Sequence, residues 1–187
     1  MGILIIVGIV ALLALVVVGV YNKYIKLKNL NQEGWSGVEV YLQKRWDLIP
    51  NLVNTVKGYA THESQTLENV IKMRSQVMSI DTKDIDNIEK VQKIENELTK
   101  TLRSIMMLQE SYPNLKADQS FLSLQSELSS IETDVQSARK YYNGTARDLN
   151  TFVETFPNNI IGNFLSCKTG KFFDDDDQVH TVPEVKF

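Results

Sequence analysis

Three short patterns in this chain have residue types that could do chemistry. Ser137-x-x-Lys140, Tyr141-x-Asn143 and Lys168-Thr169-Gly170 mimic the three motifs of penicillin-binding enzymes. In those enzymes the motifs sit far apart in a much larger α/β domain. Here the first two lie end to end on one predicted helix and the third lies in a tail, so the acyl-transfer reading fails on context. His62-Glu63 is half of a zinc helix, but H-E-x-x-H needs its second histidine at position 66, where Thr66 stands. The Glu-x-x-His pairs of carboxylate-bridged bundles are missing too. Cys167 has no acid–base partner nearby in sequence to raise its nucleophilicity. The four aspartates at 174–177 could attract a divalent cation, yet like charges on a loop read first as a solvated, extended run. Asn143-Gly144-Thr145 spells a glycan acceptor, which has no meaning on a cytoplasmic helix. The residues therefore predict no catalytic site, no cofactor and no metal.

Composition narrows the choice further. The chain has 187 residues, of which 43% are hydrophobic and 23% charged, which suits one folded domain and excludes wholesale disorder. Lys plus Arg number 20 against 23 Asp plus Glu, for a net charge of −3, so no basic excess exists to neutralise nucleic acid. A single cysteine forms no internal disulfide.

The charges are unevenly spread. From Ile3 to Tyr21 there are 19 residues without a charge, and 14 of them are Ile, Leu or Val. As a helix this run is about 28 Å long, close to the hydrocarbon thickness of a bilayer. Insertion of those side chains is favourable by about 4–8 kcal/mol. A cleaved signal peptide would carry a basic start and a small-residue site, and neither is present. Ile6 stands where a myristoylated Gly2 would want Ser or Thr. The run from Ile3 to Val20 is thus expected to be an uncleaved membrane anchor. Tyr21 and Tyr24 sit at interface depth, and Lys23, Lys26 and Lys28 form a basic collar. The positive-inside rule then puts the N-terminus outside and the bulk of the chain in the cytoplasm, at the inner membrane of the cell.

Beyond the collar the periodicity is helical. The clearest seam is Phe121, Leu124, Leu128, Ile131, Val135, Ala138, Tyr142, Leu149 and Phe152. A second runs from Ile85 to Leu108, and a third from Val38 to Val77 around Pro50. Such stripes need partner faces, and short connections make neighbouring helices antiparallel. Asp81-Thr82-Lys83-Asp84 and Ser111-Tyr112-Pro113-Asn114 read as turns. At Pro50 either Asp47 caps a new helix or one long helix kinks; the continuous pattern favours the kink. Trp35 and Trp46, three helical turns apart, share a face that is either core or a partner-binding patch. After Phe156-Pro157 the pattern stops, with one short helix near residues 158–164.

At this point the residues become recognisable as a set. Trp35-Ser36, the block from Gln43 through Arg45-Trp46-Asp47-Leu48-Ile49-Pro50-Asn51 to Val53, Val56-Lys57-Gly58-Tyr59-Ala60 and His62-Glu63 resemble the LemA family. So do Tyr112-Pro113-Asn114, Ala138-Arg139-x-x-Tyr142-Asn143, Phe156-Pro157-Asn158-Asn159 and the ending Pro183-Glu184-Val185-Lys186-Phe187. Two positions depart from the pattern: Trp46, where Tyr or His is more usual, and Cys167, where a small or apolar residue is usual. The resemblance implies a bacterial single-pass membrane protein with a cytoplasmic antiparallel four-helix domain. It implies no activity. A related branch among proteins of magnetosome membrane formation points toward membrane organisation, by analogy of fold alone.

The expected fold is all-α: a transmembrane helix, then an antiparallel long-helix bundle and an extended C-terminal tail. The expected division is 1–28 for anchor and collar, 29–156 for the bundle and 157–187 for the tail. The expected role is a non-enzymatic, homo-oligomeric scaffold that organises or remodels the membrane. The alternative is a tethered adaptor for an unknown cytoplasmic protein. Lipid and a second copy of the chain are the expected partners, and nucleic acid is not. Arg45 and Asp47 would clamp the kink at Pro50, beside Trp35, Trp46 and Asn51. The tail from Phe172 onward is net −4 and the remainder about neutral, which offers the tail a basic surface to touch.

Overall fold

The computed structural model describes residues 1–60 and 62–173, and among these there is no strand. Helix α1 spans Gly2–Lys57, 56 residues or about 84 Å. Helix α2 spans Ser64–Met78, α3 Ile88–Met107, α4 Pro113–Lys116, α5 Gln119–Glu154 and α6 Asn158–Phe164. The third seam, read as one run from Val38 to Val77, is in fact two helices. Gly58 ends α1, with the Tyr59 and Ala60 amides both donating to the Val56 carbonyl, and α2 returns alongside.

The part of α1 after the apolar run and the 36-residue α5 match in length and run antiparallel. Their cross-contacts show it: Asn31 meets Thr145, Arg45 meets Glu132 and Tyr59 meets Asp118. The α2–α3 hairpin packs mainly on the distal half of this pair, away from the apolar run. Its tip carbonyl, on Thr82, accepts the Trp35 indole N–H at 2.7 Å, and Ile85 and Asp86 beside the tip reach the rim of a cleft shared with Tyr24 and Lys28. The distal half is therefore a four-helix bundle around Val38, Leu42, Ile49, Leu52, Val70, Val91, Leu98, Ile105 and Phe121, all buried. Each such side chain withdrawn from water contributes roughly 1.5–3 kcal/mol.

The turns form for local reasons. Asp84 accepts from the Asp86 amide and opens the 3-10 turn before α3, and Pro113 supplies the first position of α4. Asp118 caps α5 through the Phe121 amide at 2.8 Å, a start signal that the sequence reading passed over. The short helix near 158–164 is present as α6.

Beyond α6 the described tail, residues 165–173, is extended as expected and lies as a strap along α1 and α5 in the proximal half. The run 174–187, with the four aspartates, His180 and the closing Pro183-Glu184-Val185-Lys186-Phe187, lies outside the described residues.

Candidate functional site

The residues singled out in α1 fall into three places. The first is a buried ion cluster in the distal half. Arg45 is 1% exposed and Glu95, on α3, fully buried, and their side chains meet in direct ion contact. Arg45 Nη1 also donates to Glu132 Oε2 at 2.8 Å and to Thr99 Oγ1 at 3.2 Å. Trp46 donates its indole N–H to the other oxygen of Glu95. Three helices are thus pinned through one guanidinium, whose planar fork suits several acceptors at once. Burial pulls Arg45 down to about 10 and nearby Arg139 adds to this, while Glu132 opposes it; Arg45 stays cationic near neutral pH. Arg45 and Glu95 are enclosed in side chains, and the partly exposed Glu132 closes the cluster toward the surface.

Pro50 has a structural consequence that its sequence position hides. α1 passes through it unbroken, so the alternative in which Asp47 starts a new helix is excluded. Proline has no N–H, and the carbonyl it would have bonded, four residues back on Trp46, is freed. Arg74 of α2 fills that gap: its Nε donates to the Trp46 carbonyl at 2.8 Å. Arg74 was not among the expected residues, because the partner of a freed carbonyl lies on another helix. Asp47 does not join Arg45 in a clamp. It sits one position past the buried face, exposed, and accepts from Gln43 at 2.8 Å. Asn51 is exposed on a shallow polar groove that also takes in Gln119 and Ser123.

The second place is the junction at Trp35. Its ring is 2% exposed, stacked on Phe173 at 5.9 Å and edge-on to Tyr142 at 5.5 Å. Both tryptophans are therefore core rather than an exposed patch. Phe173 is the last described residue of the strap, with the Arg139 guanidinium 4.3 Å from its ring centre. Two asparagines of α5 hold the strap in the same way. Asn143 donates to the Phe173 carbonyl and accepts its amide, both at 2.8 Å, and Asn150 does the same to Gly170 at 3.0 and 2.7 Å. The Tyr142 hydroxyl donates to the Lys171 carbonyl at 2.6 Å, and burial pushes its pKa well above the usual phenol range. Glycine is needed at position 170, where an added Cβ would come within 2.9 Å of the Asn31 amide oxygen.

The third place is the collar. Lys23, Lys26 and Lys28 are exposed, as is Tyr21. Tyr24, expected at interface depth, is buried under the strap, its hydroxyl accepting the Lys168 amide at 3.0 Å. Above it, α1, α5 and the strap enclose an open cleft of about 810 Å³ lined by Lys28, Gln32, Glu154, Cys167 and Lys171 among others. Burial pushes the Cys167 thiol up, away from thiolate. Among the described residues no group of three or more His, Cys, Asp or Glu side chains is placed to hold a metal ion. His62 is exposed at the distal end.

The apolar run from Ile3 to Val20 is uncovered over most of its length, with no residue of its most apolar 18-residue stretch buried and only Val17 and Val20 half-buried. It is the one described helix segment long and apolar enough to cross a membrane.

Comparison with known proteins accounts for this arrangement. Protein LemA of Metamycoplasma hominis is 26% identical over 151 residues, which cover 80% of this chain and 67% of that protein. The LemA family profile matches residues 34–187, taking in Trp35, the Arg45–Glu95 cluster and the strap but not the apolar run. The chain belongs to the LemA family.

Proposed function

We propose that this protein is a membrane-anchored, non-enzymatic scaffold that self-associates and organises the bacterial inner membrane, with its N-terminus outside and its bundle in the cytoplasm. The observation that carries the reading is the continuity of α1. One helix runs from the bare apolar stretch into the bundle core without a linker. A bundle joined this way is a rigid post on the membrane rather than a domain on a flexible tether. The exposed collar Lys23, Lys26 and Lys28 supports the orientation through attraction to anionic headgroups. Val40, Ile71, Met78 and Met107 are exposed on the bundle and give copies of the chain apolar contact points. Confinement to a plane raises their effective concentration, so weak contacts suffice for assembly.

Electron microscopy of the full-length protein, extracted with its native lipid, tests this reading. Large, ordered, lipid-containing particles are expected. Uniform particles holding one or two copies would contradict the scaffold and turn attention to a tethered adaptor and its co-purifying partner.

A further inference from the structure

Beyond the anchor, three of the four most exposed large apolar side chains among the described residues lie close together in the chain, at one end of the molecule. Phe156 is 75% exposed, Ile160 62% and Phe164 87%. Ile160 and Phe164, four residues apart, share one face of α6, and Phe156 lies in the turn that leads into it. This segment is fixed at both ends. Asn158 donates to the Phe152 carbonyl at 3.1 Å, and the Gly162 carbonyl accepts the Cys167 amide at 2.8 Å. The opposite face is packed, with Gly162 buried against Val153. The outward direction of Ile160 and Phe164 is thus a property of the fold.

The height of this patch is set by α1. Asn159 and Asn163 of α6 line the same cleft as Tyr24 and Lys28, so α6 lies beside the collar. Val17 and Val20 are half-buried, whereas Val16 and Val18 are 44% and 54% exposed. The buried stripe of α1 therefore continues past Tyr24 into the last turns of the apolar run, and the base of the bundle reaches that level. Exposed lysines lie on the neighbouring segments, Lys23, Lys26 and Lys28 on α1 and Lys168 at the start of the strap, outnumbering the acids Asp86, Asp148 and Glu154 that line the same clefts.

We infer that Phe156, Ile160 and Phe164 form a second membrane contact, entering the headgroup–acyl boundary of the same leaflet that α1 leaves. Aromatic and branched side chains beside a basic rim match the chemistry of that boundary, apolar below and anionic above. The inference rests on the anchor reading of the apolar run. Two points of attachment would fix the azimuth and tilt of the post, which one helix in a fluid bilayer leaves free.

Tryptophan depth quenching tests it. The full-length Phe164→Trp variant is reconstituted into phosphatidylcholine–phosphatidylglycerol vesicles with bromine on the acyl chains, and flotation on a density gradient confirms association. Trp35 and Trp46 are buried in the bundle at least fourteen residues along α1 from Tyr21, out of reach of the bromines. The expected result is loss of roughly a third of the emission in Phe164→Trp, one indole in three, with no loss in the unsubstituted protein or in Ser137→Trp on the exposed side of α5. Ile160→Trp should behave as Phe164→Trp does. Flotation without quenching would overturn the inference and leave the anchor intact. Blue-shifted but unquenched emission would overturn it by assigning the patch to a second copy of the chain. Failure to float would overturn the anchor reading and this inference with it.

Discussion

The two halves of the bundle are held together by different physics. The distal half, from Trp35 to Lys57 on α1, packs four helices around aliphatic side chains and pins three of them with one largely buried ion cluster. The proximal half, from Tyr24 to Trp35, has α1, α5, the short α6 and a strap, the strap held by asparagine side chains bonded to its backbone. Apolar burial is cooperative over many residues, whereas side chain–backbone bonds can be lost a few at a time. The distal half is built to stay closed. The proximal half, next to the apolar run and open to an 810 Å³ cleft, is built to yield locally.

The sharpest way to break the distal half is to strand its buried charge. Glu95→Ala leaves Arg45 enclosed without its main counter-ion and should cost about 3–5 kcal/mol, read from denaturant unfolding of the full-length protein in detergent. Replacing both partners, Arg45→Met with Glu95→Leu, should recover most of that loss, because well-packed apolar residues avoid the desolvation cost. A smaller effect is expected where the halves meet. A Cβ at Gly34 would lie 3.3 Å from the Tyr142 Cα, so Gly34→Ala should part α1 from α5 and cost about 1–3 kcal/mol.

A further variant pair sharpens the role of Pro50. Arg74→Ala strands the Trp46 carbonyl and should cost about 1–2 kcal/mol. In a Pro50→Ala background the new amide can bond that carbonyl, and the same Arg74 substitution should cost clearly less; equal costs in both backgrounds would separate Arg74 from the proline. The smallest effect concerns pH. Its bonds to the Phe121 amide and the Tyr59 hydroxyl hold Asp118 below the usual carboxylate range. Its folded value is depressed, so its support of α5 is present above about pH 4 and fades as pH falls through that lowered value. Asp118→Asn should keep a cap and flatten this acid dependence, measured as the melting midpoint between roughly pH 5 and 2.

What could be read in the sequence follows the same divide. The distal helices were legible because apolar spacing reports burial directly: Leu98, Leu102, Phe121, Leu128 and Val135 are all buried where the seams placed them. α6 was legible from Pro157 and its following apolar turn. The strap was not, because a side chain that bonds a backbone leaves no periodic trace in the segment it holds. A signal did exist on α5, where the seam breaks between Tyr142 and Leu149 and polar Thr145 takes a buried position. Arg45 drew attention as part of a distinctive block, but its partners Glu95 and Glu132 are 50 and 87 residues away and share no local pattern with it. Asp47 was grouped with Arg45 by proximity in sequence, although two residues apart on a helix point about 200° from each other.

Amide hydrogen exchange of the full-length protein in lipid nanodiscs tests the division between the halves most directly. The Gly170 and Phe173 amides should be protected, and Asn150→Ala should abolish protection of the Gly170 amide while the amides of α3 and of α1 beyond Trp35 stay as slow as before. Equal acceleration across α3 and distal α1 in that variant would show one cooperative unit and contradict the account.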